Sequence, residues 1–318
     1  MIRNVVIIGA GAMGILLASQ FDDCEKINLY LGSYGKRVKD LQKNRFYFNG
    51  KPYSFKILDL NSTDLIADLI IIAVKYKDLT DVIENCSNIL GEKTIFISLL
   101  NGLDSEIKIG KKYGMEKVLY TVTVGMDAVR EGYNVTCKNF GKIVFGELFN
   151  ETYSENVIAL KEAFDSANIK YEIPKDMKRT MWWKFMVNVG VNQTSAIFNA
   201  PYGDFQKSEY IRDIMEGLMN EVIILSKYED VNLNYQTDLK EKWYSVLYSL
   251  SPEGKTSMLQ DIEAKRKTEV EIFAGKVLEL GKKYNIDTPY NKIVFQIIKG
   301  KEDIYLNKEV NNESGKCK

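Results

Sequence analysis

The first half of the chain alternates short apolar runs with helical patterns. Six runs are rich in β-branched and other apolar residues, and helical spacing follows at Met13–Phe21 and Asp78–Leu90. Runs this apolar are typical of strands that helices cover on both faces, as in a parallel sheet. The predicted strands are Ile2–Ile8, Ile27–Leu31, Leu69–Val74, Thr94–Leu99, Val118–Val124 and Lys142–Phe145.

The second half has a different pattern, which is helical almost throughout from about Asp176. Pro174 marks the predicted boundary, because proline disfavours helix in the residue before it. The two halves predict a doubly wound α/β domain followed by an all-helical domain, with ligands in the cleft between them at the carboxyl ends of the strands. The long helices are predicted at Met177–Phe198, Ser208–Tyr228 and Met258–Tyr284.

Composition narrows the classes of function. Of the 318 residues, 45% are hydrophobic and 27% charged, which is ordinary for a globular protein of two domains. Lys plus Arg equals Asp plus Glu at 43 each, so bulk charge gives no reason to expect a nucleic-acid partner. No apolar run reaches the ~18 residues that span a bilayer, so no membrane partner is expected.

The reactive residue types restrict the chemistry further. The sequence contains no histidine, so a proton donor must be Lys, Tyr, Cys or a carboxylic acid. The four cysteines, Cys24, Cys86, Cys137 and Cys317, form no CxxC pair. This spacing predicts neither a disulfide framework nor a metal site and favours a reducing, cytoplasmic location. Glycines at fixed spacing interrupt the apolar N-terminal run, which argues against a signal peptide there.

A glycine motif directly follows the first predicted strand. Gly9-Ala10-Gly11-Ala12-Met13-Gly14 has the GxGxxG spacing and opens a helix. Gly9 permits a tight turn, Gly11 lets the backbone approach a pyrophosphate, and Gly14 lets the helix pack close to the sheet. The N-terminus of the helix offers free N–H groups to the phosphates. The sequence therefore predicts an N-terminal Rossmann-type dinucleotide-binding domain over residues 1–174, a C-terminal all-helical substrate domain over 175–300 and a polar tail over 301–318.

The end of the second strand bears on the choice of dinucleotide. An NAD site usually has an acid there, on the ribose hydroxyls. This strand ends in Gly32-Ser33, without an acid, and Lys36 and Arg37 follow. Ser33, Lys36 and Arg37 could hold a 2′-phosphate, which favours NADP(H) as the cofactor. The alternative is that the two cations only form the solvated face of the next helix.

Three polar residues mark an otherwise apolar helix. Lys184, Asn188 and Asn192 lie at i, i+4 and i+8, on one helical face. Burying a lysine and two amides without partners would destabilise the fold. The three residues either satisfy one another, face a wet cleft and a polar ligand, or form the solvated face of an amphipathic helix. The cleft interpretation makes Lys184 the natural proton donor, because partial desolvation lowers the pKa of a lysine.

These motifs, in this order, resemble those of the ketopantoate reductase family. The similarity runs from about residue 2 to residue 300, and its most specific part follows Ser257, whose hydroxyl could cap the helix that comes next. The residues that carry the resemblance are the GxGxxG loop, Ala73-Val74-Lys75, Asn101-Gly102, Trp183-Lys184 with Asn188 and Asn192, Ser257-Met258-Leu259-Gln260-Asp261 with Lys265, Arg266, Thr268 and Glu269, and the glycines Gly125, Gly132, Gly141 and Gly146.

The resemblance implies NADPH-dependent reduction of a small-molecule 2-oxo acid, 2-dehydropantoate, to pantoate. Lys184 would donate the proton to the developing alkoxide, and Asn188, Asn192 and Ser257 would hold the substrate. Asn101 would position both cofactor and substrate. Glu269 would orient Lys184 or the substrate. The implied cofactor-binding residues are Gly9, Ala10, Gly11, Ala12, Met13, Gly14, Lys75 at the nicotinamide-ribose end, Asn101 and Glu269.

The chain also departs from the family pattern. Gly32 stands where the family often has an arginine for the 2′-phosphate, and Gln193 stands where it often has proline, a change that could reshape the substrate pocket. Two rivals remain: a related reductase acting on another 2-oxo acid, a β-hydroxyacid or an opine, and a sensor that binds NADP without turnover. Apolar residues of the helical domain, such as Phe198, Tyr202 and Phe205, pack in a core or form a homodimer interface.

Overall fold

The computed structural model describes residues 1–314, with side chains as far as Leu306. The chain divides into two units, the first spanning Met1–Lys178 and the second beginning at Arg179. The predicted boundary after Pro174 falls slightly earlier than this division. In residues 1–314, no helix combines the length and the apolar character that a membrane crossing requires.

The first unit contains three sheets. Five strands form a parallel sheet in the order β5-β2-β1-β6-β7, four form a sheet in the order β4-β3-β10-β9, and three form a sheet in the order β12-β11-β8. The strands are β1 (Asn4–Ile8), β2 (Asn28–Ser33), β3 (Phe46–Phe48), β4 (Lys51–Tyr53), β5 (Lys56–Asp59), β6 (Ala67–Ile72), β7 (Leu90–Ser98), β8 (Tyr120–Val124), β9 (Val129–Glu131), β10 (Asn134–Thr136), β11 (Lys142–Gly146) and β12 (Tyr171–Glu172).

The helices of the first unit flank these strands, and those of the second make up nearly all of its regular structure. The helices are α1 (Ala12–Asp22), α2 (Lys36–Lys43), α3 (Leu79–Asn85), α4 (Ser105–Tyr113), α5 (Glu155–Ser166), α6 (Met177–Val187), α7 (Gln193–Phe198), α8 (Tyr202–Lys207), α9 (Glu209–Ser226), α10 (Tyr244–Ser249), α11 (Ser257–Glu263), α12 (Ala274–Tyr284) and α13 (Pro289–Ser314). Two segments are π-helical: Asn188–Asn192 joins α6 to α7, and Tyr235–Trp243 leads directly into α10.

The central parallel sheet is buried on both faces, which confirms the doubly wound α/β prediction. Side chains of β1 alternate between two hydrophobic clusters. Val5 and Ile7 belong to a cluster that includes residues of α1, while Val6 and Ile8 belong to one that includes residues of α3 and α4. Because successive side chains of a strand point to opposite faces, an unbroken apolar run fits a strand covered on both sides.

The predicted strands at Val118–Val124 and Lys142–Phe145 are present. Val118 makes an isolated parallel bridge to Phe96 of β7, but the rest of the two strands does not extend the parallel sheet. Their counterparts, β8 and β11, pair antiparallel in the separate three-stranded sheet. An apolar run reports burial and carries no information on strand direction, so it could not show that β8 and β11 pair antiparallel. The three-residue strands of the four-stranded sheet are too short to give a periodic signal and were not predicted.

The second unit packs around α9. Met215, Leu218, Met219 and Val222 of this helix are buried completely. The π-helical segment at Asn188–Asn192 packs closely against α9, and a Cβ on Gly190 would lie 2.4 Å from Cγ of Met219. Glycine thus permits the close approach of the two helices.

The long helix predicted over Met258–Tyr284 is in fact two helices, α11 and α12. Lys265 adopts φ +54° just after α11, a left-handed conformation that ends a helix. Thr268 then donates hydrogen bonds from its N–H and hydroxyl to Oε1 of the buried Glu302, both at 2.7 Å. These tertiary bonds hold the segment between the two helices in a non-helical path.

Two other regions differ in detail from expectation. The polar tail predicted from residue 301 is helical as far as Ser314, because α13 continues through it. Phe205 is buried in the core of the second unit, whereas 49% of Phe198 is exposed.

Cys24, Cys86 and Cys137 are free and buried. Cys317 lies outside the described residues.

Candidate functional site: a glycine loop and a desolvated lysine

The glycine loop joins β1 to α1, and the fold itself requires glycine at two of its three positions. Gly9 lies at φ +117°, and a Cβ there would be 2.4 Å from the carbonyl oxygen of Ala73. A Cβ on Gly14 would be 1.9 Å from the carbonyl oxygen of Gly9. At Gly11 the nearest atom would be 3.8 Å away, an ordinary contact. The backbone beside Gly11 is therefore open, as a pyrophosphate cradle requires.

The N-terminus of α1 begins at this opening. Gly11 is its N-cap, no side chain caps the helix, and its first turn contains no acidic residue. The first N–H groups of a helix have no partner within the helix, and they carry a partial positive charge. The loop of Gly9, Ala10, Gly11, Ala12, Met13 and Gly14 thus has the geometry of an anion site.

Lys75 and Asn101 lie at the same edge of the sheet as the glycine loop. β1, β6 and β7 are adjacent and parallel, with Ile8 paired to Ile72 and Ile72 paired to Ser98. Lys75 follows the end of β6 and is exposed, while Asn101 follows the end of β7 and is partly buried. The strand order reverses about β1, which is the position where open α/β sheets bind ligands.

The side chain of Arg130, which no sequence pattern indicated, lies against the glycine loop. Its Nη1 donates a hydrogen bond to the carbonyl oxygen of Ala10. Its guanidinium lies 5.6 Å from the ring centroid of Phe46 and 5.7 Å from that of Tyr133. Burial lowers the pKa of this guanidinium, and the positive charge of Arg37 lowers it further.

In the second unit, Lys184 lies near the C-terminal end of α6 and is partly buried. Desolvation by burial lowers the pKa of its ammonium from the usual 10.5. Lys184 makes no hydrogen bond or ion pair with any other residue in the described part of the chain. A desolvated ammonium without an anionic partner is suited to bind and protonate an oxygen that gains negative charge.

The two asparagines of the stripe are buried and bonded to each other. Nδ2 of Asn192 donates to Oδ1 of Asn188 at 3.3 Å. Both lie in the π-helical segment Asn188–Asn192, a geometry that often marks functional sites. The sequence left open whether the three polar residues satisfy one another. The structure gives a mixed answer, since the amides pair while Lys184 does not join them.

Gln193, the departure from the family pattern, is buried completely. Its Nε2 donates to the carbonyl of Val189 and to Oδ1 of Asn291, and its Oε1 accepts from the N–H of Ala274. The polar side chain is thus satisfied inside the second unit and ties α7 to α12 and α13. It lines no exposed surface, and any effect of this change on a substrate pocket stays a prediction.

Ser257 does not cap α11, so this prediction was wrong. The N-cap is Thr256, whose hydroxyl accepts from the N–H of Leu259 at 3.1 Å. Ser257 is the first helical residue and is exposed, which leaves its hydroxyl accessible. Glu269 is partly buried and directly precedes the 3₁₀ turn Val270–Ile272.

A cavity of about 390 Å³ in the second unit contains none of the predicted site residues. Asp213, Glu216, Glu221 and Asp287 contribute acidic groups to its lining. Acidic walls of this kind do not suit a carboxylate substrate, because like charges repel. Within residues 1–314 no cluster of three or more Cys, Asp or Glu side chains has an arrangement that could hold a metal ion.

The chain is similar to known proteins over almost its whole length. The model of the family described as "Ketopantoate reductase PanE/ApbA" matches residues 5–150, and that of "Ketopantoate reductase PanE/ApbA C terminal" matches residues 176–302. The 2-dehydropantoate 2-reductase of Aquifex aeolicus is 24% identical over 314 residues, which cover 95% of this chain and 98% of that protein.

Solved structures show the same fold. A dimeric ketopantoate reductase from Staphylococcus aureus has a TM-score of 0.79 at 20% identity, covering 95% of this chain and 99% of that chain. D-mandelate dehydrogenase in complex with NADH has a TM-score of 0.85 at 20% identity, covering 95% of this chain and all of that one, 100%. These likenesses confirm the Rossmann-type domain followed by a helical domain.

Proposed function

The chain belongs to the ketopantoate reductase family, and on that premise we propose that it is an NADPH-dependent reductase that converts the keto group of 2-dehydropantoate to an alcohol. The observation that carries the proposal is Lys184, a desolvated ammonium without a partner among the described residues, next to two buried amides. With no histidine in the sequence, this lysine is the group best suited to donate the proton.

The first unit is proposed to hold the cofactor. The fit rests on the open backbone beside Gly11 and on the uncapped N-terminus of α1, which together accommodate a pyrophosphate. Lys75 and Asn101, at the same edge of the sheet, are proposed to contact the rest of the cofactor, together with Glu269. The reduced nicotinamide supplies a hydride when bound.

The second unit is proposed to hold and protonate the substrate. Lys184 donates a proton from Nζ to the substrate oxygen as the keto carbon becomes a secondary alcohol carbon, and its charge stabilises the developing alkoxide. Asn188 and Asn192 are proposed to hydrogen-bond the substrate, as is the accessible hydroxyl of Ser257. Desolvation assists transfer, because it lowers the pKa of Lys184 toward the range in which an ammonium gives up its proton readily.

A second candidate is reduction of a different 2-oxo acid. The likeness to D-mandelate dehydrogenase supports it, because that protein has the same fold and its name indicates action on mandelate, an aromatic 2-hydroxy acid. The keto group, the carboxylate and the need for a proton donor are common to both substrates. The assignment to 2-dehydropantoate therefore depends on a comparison of substrates.

The decisive experiment follows NADPH and NADH oxidation with 2-dehydropantoate and a panel of 2-oxo acids. We expect turnover with 2-dehydropantoate and a loss of about 10²- to 10⁴-fold in kcat for Lys184→Ala, the usual range for removing a general acid. In the wild type, kcat should fall as pH rises through the lowered pKa of Lys184, since only the protonated form donates. Lys184→Arg keeps a charge that titrates far higher, so this alkaline limb should disappear.

Other outcomes point elsewhere. Turnover only with another oxo acid would keep the reaction and change the substrate. Measurable NADPH binding without oxidation by any oxo acid would contradict the reductase proposal and favour a nucleotide sensor. Equal kcat values for the wild type and Lys184→Ala would remove Lys184 from the role of donor.

We also propose a homodimer located in the cytoplasm. The dimeric Staphylococcus aureus relative supports the assembly, and the exposed Phe198 is available for an interface, whereas Phe205 is not. The buried free cysteines fit a reducing compartment. Light scattering on the purified chain would give a monomer mass of 36.4 kDa or twice that value.

A further inference from the structure

The end of β2 has no room for the acid that an NAD site places there. A Cβ on Gly32 would lie 2.8 Å from Cγ1 of Val6 and 3.0 Å from Cδ2 of Leu60, so this position faces the packed interior. Ser33, the last residue of the strand, is buried. A ribose 2′-hydroxyl therefore finds no carboxylate at the usual position.

Two arginines from distant parts of the sequence lie near this place. Arg37 is in the first turn of α2, directly after β2, and is exposed. Arg130 extends from β9 to the carbonyl of Ala10, in the loop after β1. β1 and β2 are neighbours in the sheet, so Ala10, which Arg130 contacts, and Arg37 both follow the carboxyl ends of adjacent strands. The pKa of Arg130 is lowered chiefly by burial and next by the positive charge of Arg37.

The charges of the two arginines are not balanced by a carboxylate among the described residues. The hydrogen bonds of Arg130 go to carbonyl oxygens, those of Ala10 and, at 2.6 Å, of Gly132. The two positive charges repel each other, and an anion between them would relieve that repulsion. Guanidinium groups match the geometry of phosphate oxygens particularly well.

Resting on the proposed function, we propose that Arg130 and Arg37 together bind the 2′-phosphate of NADPH and so determine the preference for NADPH over NADH. Arg130 would take the place of the strand-end arginine of the family, although it comes from β9 rather than from β2. Its hydrogen bond to Ala10 links the phosphate contact to the glycine loop. Its ring contacts with Phe46 and Tyr133 restrict the side chain to this position.

The test measures nucleotide binding by calorimetry, independently of turnover. The probes are NADPH, NADH, adenosine 2′,5′-bisphosphate and adenosine 5′-monophosphate, and the last two differ only in the 2′-phosphate. We expect wild type to prefer the phosphorylated member of each pair. Arg37→Met and Arg130→Met should each reduce that preference about 10- to 100-fold, the size expected for losing a charged hydrogen bond. Lys39→Met, which removes an exposed cation from another face of α2, should leave the preference unchanged.

The variants separate binding of the 2′-phosphate from any effect of Arg130 on the structure of the glycine loop. Arg130→Lys retains a charge and should recover part of the preference, and thermal unfolding shows whether Arg130→Met is folded. Arg37 is exposed and makes no hydrogen bond within the described residues, so Arg37→Met tests the proposal even if Arg130→Met fails to fold. Equal weakening of NADPH and NADH by Arg130→Met would overturn the proposal, because Arg130 would then act only on the loop.

A failure here differs from a failure of the proposed function. If wild type turns over an oxo acid but prefers NADH, or if Arg37→Met leaves the preference unchanged, the arginine pair does not bind the 2′-phosphate and the reductase proposal stands. If wild type binds none of the four nucleotides, the proposed function itself is wrong.

Discussion

Two glycines of the loop permit a test in which folding and cofactor binding separate. Gly14→Ala would put a methyl group 1.9 Å from the carbonyl oxygen of Gly9, a backbone atom that cannot rotate away. Overpacking of this kind costs about 1–3 kcal/mol. Gly11→Ala would put the methyl group 3.8 Å from its nearest neighbour, which requires no movement. The first variant should therefore lose stability, while the second should not.

The expected stability of Gly11→Ala can be worked out from two opposing effects. Alanine is a poorer N-cap than glycine, but it also lowers the entropy of the unfolded chain by about 0.4–1 kcal/mol. We expect these to cancel to within about 0.5 kcal/mol. In the proposed complex, however, the methyl group stands between the loop backbone and the pyrophosphate. Loss of one charged hydrogen bond, about 1.5–3 kcal/mol, corresponds to a rise in Kd of about 10- to 100-fold.

Urea unfolding and NADPH calorimetry on both variants measure the two effects. Gly300→Ala is a matched control, because this helical glycine of α13 has open space around its Cβ position. It should stabilise the protein by roughly 0.5–1 kcal/mol and leave Kd unchanged. A folded Gly11→Ala protein that binds NADPH as wild type does would refute the assignment of the loop. Wild-type stability of Gly14→Ala would refute the packing argument.

Two further predictions concern stability alone. Burial raises the pKa of Glu106 from 4.5 to about 7. The free energy of unfolding should therefore be highest below pH 4.5 and should fall by about 3 kcal/mol as the pH rises to about 7, because burial disfavours the charged carboxylate. Glu106→Gln should flatten this decline when urea unfolding is measured at both ends of that window, and an unchanged slope would contradict the reasoning. Thr256→Val should lower the free energy of unfolding by about 1 kcal/mol, because it removes the cap of α11. Ser257→Ala should leave the melting temperature unchanged. Equal losses of stability in the two variants would mean that both hydroxyls support the helix.

The features that could be predicted from the sequence are those that depend on interactions between residues close together in the chain. The GxGxxG spacing reports the positive φ of the turn at Gly9 and the close contact of Gly14 with Gly9, both of which arise within a few residues. The polar stripe of α6 and the following π-helical segment is equally local. Its three members lie four residues apart, whichever helical geometry they adopt.

What the sequence could not indicate depends on contacts between distant residues. Arg130 reaches Ala10 across 120 positions, from a three-residue strand with no distinctive pattern. The break between α11 and α12 depends on Glu302, which accepts hydrogen bonds from Thr268. The cap of α11 was misplaced for a different reason. Thr256 and Ser257 both have a hydroxyl that could cap the helix, and a sequence pattern locates the end of a helix only to within a residue or two.

Lys184 is the residue at which folding and the proposed chemistry have opposite requirements. A lysine whose folded pKa lies below 10.5 destabilises the fold at every pH where it is charged, and the penalty fades as pH rises through the interval up to 10.5. An apolar residue there would remove this penalty, since its neighbours Phe185 and Met186 are buried. Packing therefore gives no reason for a lysine at this position. Proton transfer gives one, because the desolvation that destabilises the charged form is also what makes the ammonium a better acid.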